Sequence, residues 1–69
     1  MMQNFWFGVV DEDSDLCGEE FIVQVNAWYE DDPLAIAWDI ATKNFGDVKM
    51  KCYGCLSTFQ AELMGLDTY

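Results

Sequence analysis

Residues 32–46 read DPLAIAWDIATKNFG, and this stretch decides the fold class. Asp32 is a natural N-cap and Pro33 a natural first helical residue, with Glu30 and Asp31 placed favourably near the positive end of the helix dipole. Leu34, Ala37, Trp38, Ala41 and Phe45 recur at helical spacing and form one apolar stripe, and Gly46 is the expected stop. Ile36 and Ile40 fall beside that stripe and widen the apolar arc to roughly 200°, against a usual minimum near 100°. An arc that wide calls for more than one sheet face, so a second helix or another chain is expected to cover the remainder.

Working outward from the helix, the segments on its N-terminal side read as strands. Asn4 to Val10 (NFWFGVV) is a β-branched and aromatic run of strand length. Its unbroken hydrophobicity implies burial on both faces, or one face kept for a partner. In Glu19 to Tyr29 (EEFIVQVNAWY), Phe21, Val23, Val25 and Ala27 point one way, and Ile22, Gln24, Asn26 and Trp28 the other. The intervening DEDSDLCG is rich in turn formers and closes a hairpin, its length of the kind that goes with flexibility or function.

On the C-terminal side, Val48, Met50 and Cys52 alternate with Lys49, Lys51 and Tyr53, which predicts a one-sided strand with both lysines outward. Ser57 and Gln60 form a capping box that opens a short helix, with Phe59, Leu63 and Leu66 as its apolar stripe and an end near Gly65. A fourth strand is the alternative for this last element. The expected fold is α+β: a single domain over residues 1–69, ordered β-β-α-β-α, with a three-stranded, mainly antiparallel sheet packed on a helix.

Composition narrows the function. The chain has 69 residues, 52% of them hydrophobic and 16% aromatic, with three Lys+Arg against thirteen Asp+Glu and a net charge of −10. Such a balance excludes binding to nucleic acid or to an anionic membrane as a ligand. MMQNFWFGVV has no basic segment and no small-residue cleavage site, so it does not read as a signal peptide. No apolar run approaches the roughly 20 residues that span a bilayer. Three cysteines, an odd number, argue against a closed disulfide framework. A reducing cytoplasm is the expected compartment.

Catalytic chemistry has little to stand on, and no enzyme is expected. There is no His for a general base and no Arg for a bidentate anion clamp. Asp11-Glu12-Asp13-Ser14-Asp15 has the D-x-D-x-D opening of a calcium loop, but Leu16 stands where that loop needs Gly and Ile22 where it needs a bidentate Glu. Cys52-Tyr53-Gly54-Cys55 has the shape of a zinc half-site, with only Cys17 as a third thiolate. The expectation is therefore no metal and no cofactor, with a zinc or thiol module at Cys52 and Cys55 as the third-ranked reading.

Charge is concentrated. Asp11, Glu12, Asp13, Asp15, Glu19, Glu20, Glu30, Asp31 and Asp32 place nine of the thirteen carboxylates between positions 11 and 32. All three lysines (Lys43, Lys49 and Lys51) fall in a later strip. Solubility of a small domain requires a net charge of only about 2–8, so the excess asks for another role. Aromatic residues interleaved with carboxylates invert the pattern of a nucleic-acid binder. Dense carboxylates present to a basic groove what a phosphate backbone presents. The nine carboxylates, with Trp28 and Tyr29 as anchors, form the candidate partner-binding set.

In size, acidity, aromatic content and element order the chain resembles small bacteriophage host-takeover proteins, the group that includes anti-CRISPR proteins and other nucleic-acid mimics. The resemblance rests on composition and layout, with no signature motif. It implies a noncatalytic inhibitor that blocks a basic nucleic-acid-binding host protein, such as a CRISPR effector or nuclease, in the host cytoplasm. The alternative is a small homo-oligomeric structural or assembly protein, with the wide helix arc and the Phe5-Trp6-Phe7 run as its subunit interface.

Overall fold

A computed structural model describes residues 2–26 and 32–69. The elements follow in the order β1 (Met2–Val9), β2 (Glu20–Asn26), α1 (Pro33–Phe45), β3 (Met50–Leu56) and α2 (Thr58–Met64). The sheet order is β2-β1-β3, with the apolar β1 run in the centre and antiparallel to both neighbours. The α+β class and the β-β-α-β-α order expected from the sequence are those of the structure.

Alternation decides what lies under α1. Phe5, Phe7 and Val9 share a face with Phe21, Val23 and Val25, and all six are buried. Ala37 and Ala41 are the two fully buried residues of α1. Their small side chains let the helix axis approach the sheet, while Trp38, Ile40 and Phe45 pack around the contact. Trp38 meets Phe7 edge-on with ring centroids 4.8 Å apart, and Phe45 stacks on Phe21 at 4.1 Å. Each fully buried side chain of this core, such as Phe7 or Phe21, contributes about 1.5–3 kcal/mol.

The helix boundaries follow the expected chemistry. Asp32 Oδ1 accepts the Ala35 N–H at 3.3 Å, and the Gly46 N–H donates to Thr42 O at 2.8 Å with Gly46 at φ 78°. The wide arc, however, is not covered: Leu34 and Ile36 remain exposed. The second helix does not reach them, because α2 contacts β1 and β3.

β3 departs from simple alternation. Trp6 pairs with Gly54 and Phe7 with Cys52, which leaves Tyr53 as the extra residue of a β-bulge. Gly54 lies at φ 147°, a conformation that favours glycine. One consequence is that Tyr53 turns onto the face away from α1, where its ring packs on Trp6 with centroids 4.8 Å apart. A second is that Cys52 and Cys55 lie opposite Phe7 and Phe5, on the same side of the sheet despite their odd spacing. Val48, Met50 and Cys52 pack against the core and Lys49 and Lys51 are exposed, as the sequence pattern required.

The last element is the expected helix and not the alternative fourth strand. The capping box forms, with Ser57 Oγ accepting the Gln60 N–H at 3.1 Å and Gln60 Oε1 accepting the Ser57 N–H at 3.0 Å. After Gly65 the tail then runs parallel to β2. The Ile22 N–H donates to Asp67 O, the Tyr69 N–H to Ile22 O and the Gln24 N–H to Tyr69 O, at 2.8–3.0 Å. Tyr69 reaches the core side, where it meets Phe21 and Phe45 edge-on.

The expected apolar stripe of α2 is overturned. Phe59 and Leu63 are 70% and 71% exposed, and the residues turned toward the sheet are Ala61 and Met64, with Leu66 just beyond. The helix approaches the sheet with its small residue, Ala61, which faces Asn4 and Gln24 across a shared cavity. Phe5 and Phe7 are likewise unavailable as a subunit interface, since both are buried under α1.

Candidate functional site

The carboxylate-rich hairpin loop is built by local hydrogen bonds. The Val9 N–H donates to Glu19 O and the Gly18 N–H to Val9 O, both at 2.9 Å, which closes the hairpin neck. Gly18 sits at φ 94°, where a side chain would be strained. Within the loop, the Ser14 N–H donates to Asp11 O and the Cys17 N–H to Ser14 O, each at 3.1 Å, and the Glu19 N–H to Leu16 O at 2.9 Å. Ser14 Oγ accepts the Leu16 N–H at 3.1 Å, a side chain closing a turn in place of backbone.

Among the expected site residues, Asp11 is structural. Its Oδ1 accepts the Asp13 N–H at 3.1 Å and its Oδ2 the Lys49 N–H at 3.3 Å, so one carboxylate ties the loop to the start of β3. Both oxygens being engaged by backbone, Asp11 is poorly placed to open a calcium site. Among the described residues, no group of three or more His, Cys, Asp or Glu side chains is arranged to hold a metal ion. Cys17 lies in this loop, beyond the end of β1 opposite to the Phe5–Cys55 pair.

Glu12, Asp13, Asp15 and Glu19 are exposed. Glu20 stands at the loop's edge, on the side away from α1, where its Oε1 accepts the Trp6 indole N–H at 3.1 Å. The lysines do not neutralise this pole: among the described residues the one ion pair joins Lys43 to Asp39 on α1, at 3.3 Å. The exposed Val10 and Leu16 set apolar area beside the carboxylates, a feature the sequence reading passed over.

The nine carboxylates do not form one cluster. Phe45, at the end of α1, stacks on Phe21 at the start of β2, so α1 runs back toward the acidic loop and its first turn lies at the opposite end. Asp32 caps that far end. It is separated from the loop by the 13 residues of α1, about 20 Å at a rise of 1.5 Å per residue. Trp28, Tyr29, Glu30 and Asp31, the remaining expected contacts, lie outside the described residues.

A second feature lies between α2 and the sheet. A shallow cavity of about 300 Å³ is lined by Asn4, Gln24, Thr58, Glu62 and Thr68 among others. Asn4 is only 2% exposed, and its Oδ1 accepts from Gln24 Nε2 at 3.1 Å. That pairing satisfies part of a buried polar group placed in the central strand.

No family model, no curated protein and no solved structure matches the chain. No helix among the described residues is long and apolar enough to cross a membrane.

Proposed function

We propose that this chain is a noncatalytic acidic inhibitor, of the kind made by bacteriophages, that occupies the cationic nucleic-acid groove of a host protein such as a CRISPR effector or nuclease. The observation that carries this reading is the loop pole. Glu12, Asp13, Asp15 and Glu19 are exposed on a turn held by backbone and Ser14 hydrogen bonds, with no lysine paired to them.

A fixed anionic turn loses little conformational entropy on docking, which favours its use as a charge mimic. Its attraction to a basic groove acts over a Debye length of about 8–10 Å at ordinary salt and collapses when salt is raised. Val10 and Leu16 add contact that salt does not screen. The working set leaves out Asp11, both of whose oxygens accept backbone N–H groups, and Asp32, whose Oδ1 caps the far end of α1.

The test is a tagged pull-down from a nuclease-treated bacterial lysate, followed by competition with duplex DNA. A nucleic-acid-handling protein retained at low salt, released at high salt and displaced by DNA supports the proposal. Equal retention by a Glu12→Lys, Asp13→Lys, Asp15→Lys variant with an unchanged circular dichroism spectrum overturns it.

A further inference from the structure

The two outer edges of the sheet are treated differently. The edge of β2 is closed by residues 67–69, which take up the Ile22 and Gln24 amides. Along β3, no described residue pairs with the outer edge. The Val10 N–H donates to Lys49 O at 2.9 Å and Lys51 stands opposite Gly8, so these residues turn their backbone groups toward β1. By antiparallel alternation, Met50 and Cys52 direct theirs away from the sheet.

The charge along this edge is also distinct. Residues 48–61 contain no Asp or Glu, the longest such run in a chain with thirteen carboxylates, and they hold Lys49 and Lys51. Tyr53 and Cys55 are exposed on the same strand. We propose that β3 pairs antiparallel with β3 of a second copy of this chain, about a two-fold axis, so that the two sheets become continuous.

Charge selects the second copy over other occupants. This edge is where two chains of net charge −10 can meet without setting carboxylate against carboxylate. A cationic partner is drawn instead to the loop pole and repelled here by Lys49 and Lys51. The two-fold antiparallel arrangement also suits the loop, which lies beyond the N-terminal end of β3 and is tied there by Asp11 to Lys49. Pairing places the loops of the two copies at opposite ends of the joined strands. With the axis near Tyr53, the two copies of Lys51 stand about 14 Å apart at a rise of roughly 3.4 Å per residue. That exceeds the Debye length of about 8 Å at physiological salt. The pairing is independent of what the acidic loop binds.

The experiment is sedimentation equilibrium of the whole chain from micromolar to millimolar concentration, at low and high salt, with amide hydrogen exchange at both ends of the concentration range. The expected result is a concentration-dependent species of twice the 7.9 kDa chain mass, tightened by salt because screening relieves the repulsion between the copies. The Met50 and Cys52 amides gain protection as it forms. Tyr53→Asp, which sets a carboxylate against its own copy at the axis, raises the dissociation constant about tenfold or more relative to Tyr53→Asn, equivalent to at least about 1.4 kcal/mol. If the aspartate variant fails to fold, the exchange result on the unmodified chain decides alone. A monomer at all concentrations overturns the proposal and assigns the lysines to keeping the edge unpaired. Open-ended polymers dissolved by salt overturn it in favour of loop-to-lysine stacking. A dimer abolished by Phe59→Ser with Leu63→Ser, with Met50 and Cys52 still unprotected, overturns it in favour of α2.

Discussion

The ring of Tyr53 occupies the space in which a side chain at residue 8 would stand: a Cβ on Gly8 would lie 2.6 Å from Tyr53 Cε2 and 2.8 Å from its hydroxyl. The bulge at Tyr53 and the glycine beneath its ring are therefore one device. The bulge turns the ring onto β1, and the missing side chain lets it pack against Trp6 at a 45° tilt. Gly8→Ala must displace the ring and is expected to cost about 1–3 kcal/mol, the usual range for overpacking. In a Tyr53→Ala background the same substitution should cost much less. Urea denaturation of the four chains checks this, and strict additivity would refute the coupling.

The two aromatic extremes of the chain predict opposite mutational behaviour. Phe7 is fully buried between Phe21 and Trp38, so Phe7→Ala should cost about 3–5 kcal/mol. Phe59 and Leu63 touch solvent, so Phe59→Ser and Leu63→Ser should each change stability by no more than about 0.5 kcal/mol. Thermal unfolding of the three variants distinguishes a solvent-facing α2 from the apolar stripe that its sequence implied.

That contrast shows where sequence was sufficient. The Asp32-Pro33 start, the Gly46 stop, the capping box at Ser57 and Gln60 and the alternation of Phe21, Val23 and Val25 are local, and local rules read them correctly. What lay beyond reach depended on other elements. Helical spacing groups Phe59 with Leu63, but which way the pair faces depends on how α2 docks on β1 and β3. The bulge at Tyr53 left only Gly54 as a signal. The carboxylates of the loop were legible as a group, whereas the roles of Asp11 and Asp32 as backbone acceptors required the positions of Lys49 and Ala35.

Those roles separate two neighbouring aspartates. Asp11→Ala frees the Asp13 and Lys49 amides and should cost about 1–2 kcal/mol, a typical loss for hydrogen bonds to a charged acceptor at a half-exposed site. Asp13→Ala removes an exposed carboxylate and should leave stability within about 0.5 kcal/mol, since it relieves repulsion in a chain of net charge −10. For partner binding the order reverses: Asp13→Ala weakens capture at low salt more than its effect on folding would predict. Equal stability losses at the two positions would contradict the assignment of Asp11 to the neck of the loop.

Hydrogen exchange offers a residue-level check on the tail. β2 is an outer strand of the sheet, so its outward amides would ordinarily exchange quickly. Instead the Ile22 N–H is bonded to Asp67 O and the Gln24 N–H to Tyr69 O. Both amides should therefore exchange slowly, on the scale of core amides such as that of Val23. Tyr69→Ala removes the ring that packs on Phe21 and Phe45 and loosens the anchor of the tail. Its expected cost is about 1–2 kcal/mol, from aromatic contacts worth about 0.5–1.5 kcal/mol beyond burial, with Ile22 and Gln24 losing protection before Val23 does. Uniform loss across β2 would mean that the tail and the strand unfold as one unit, and that the tail is as integral to the sheet as β1.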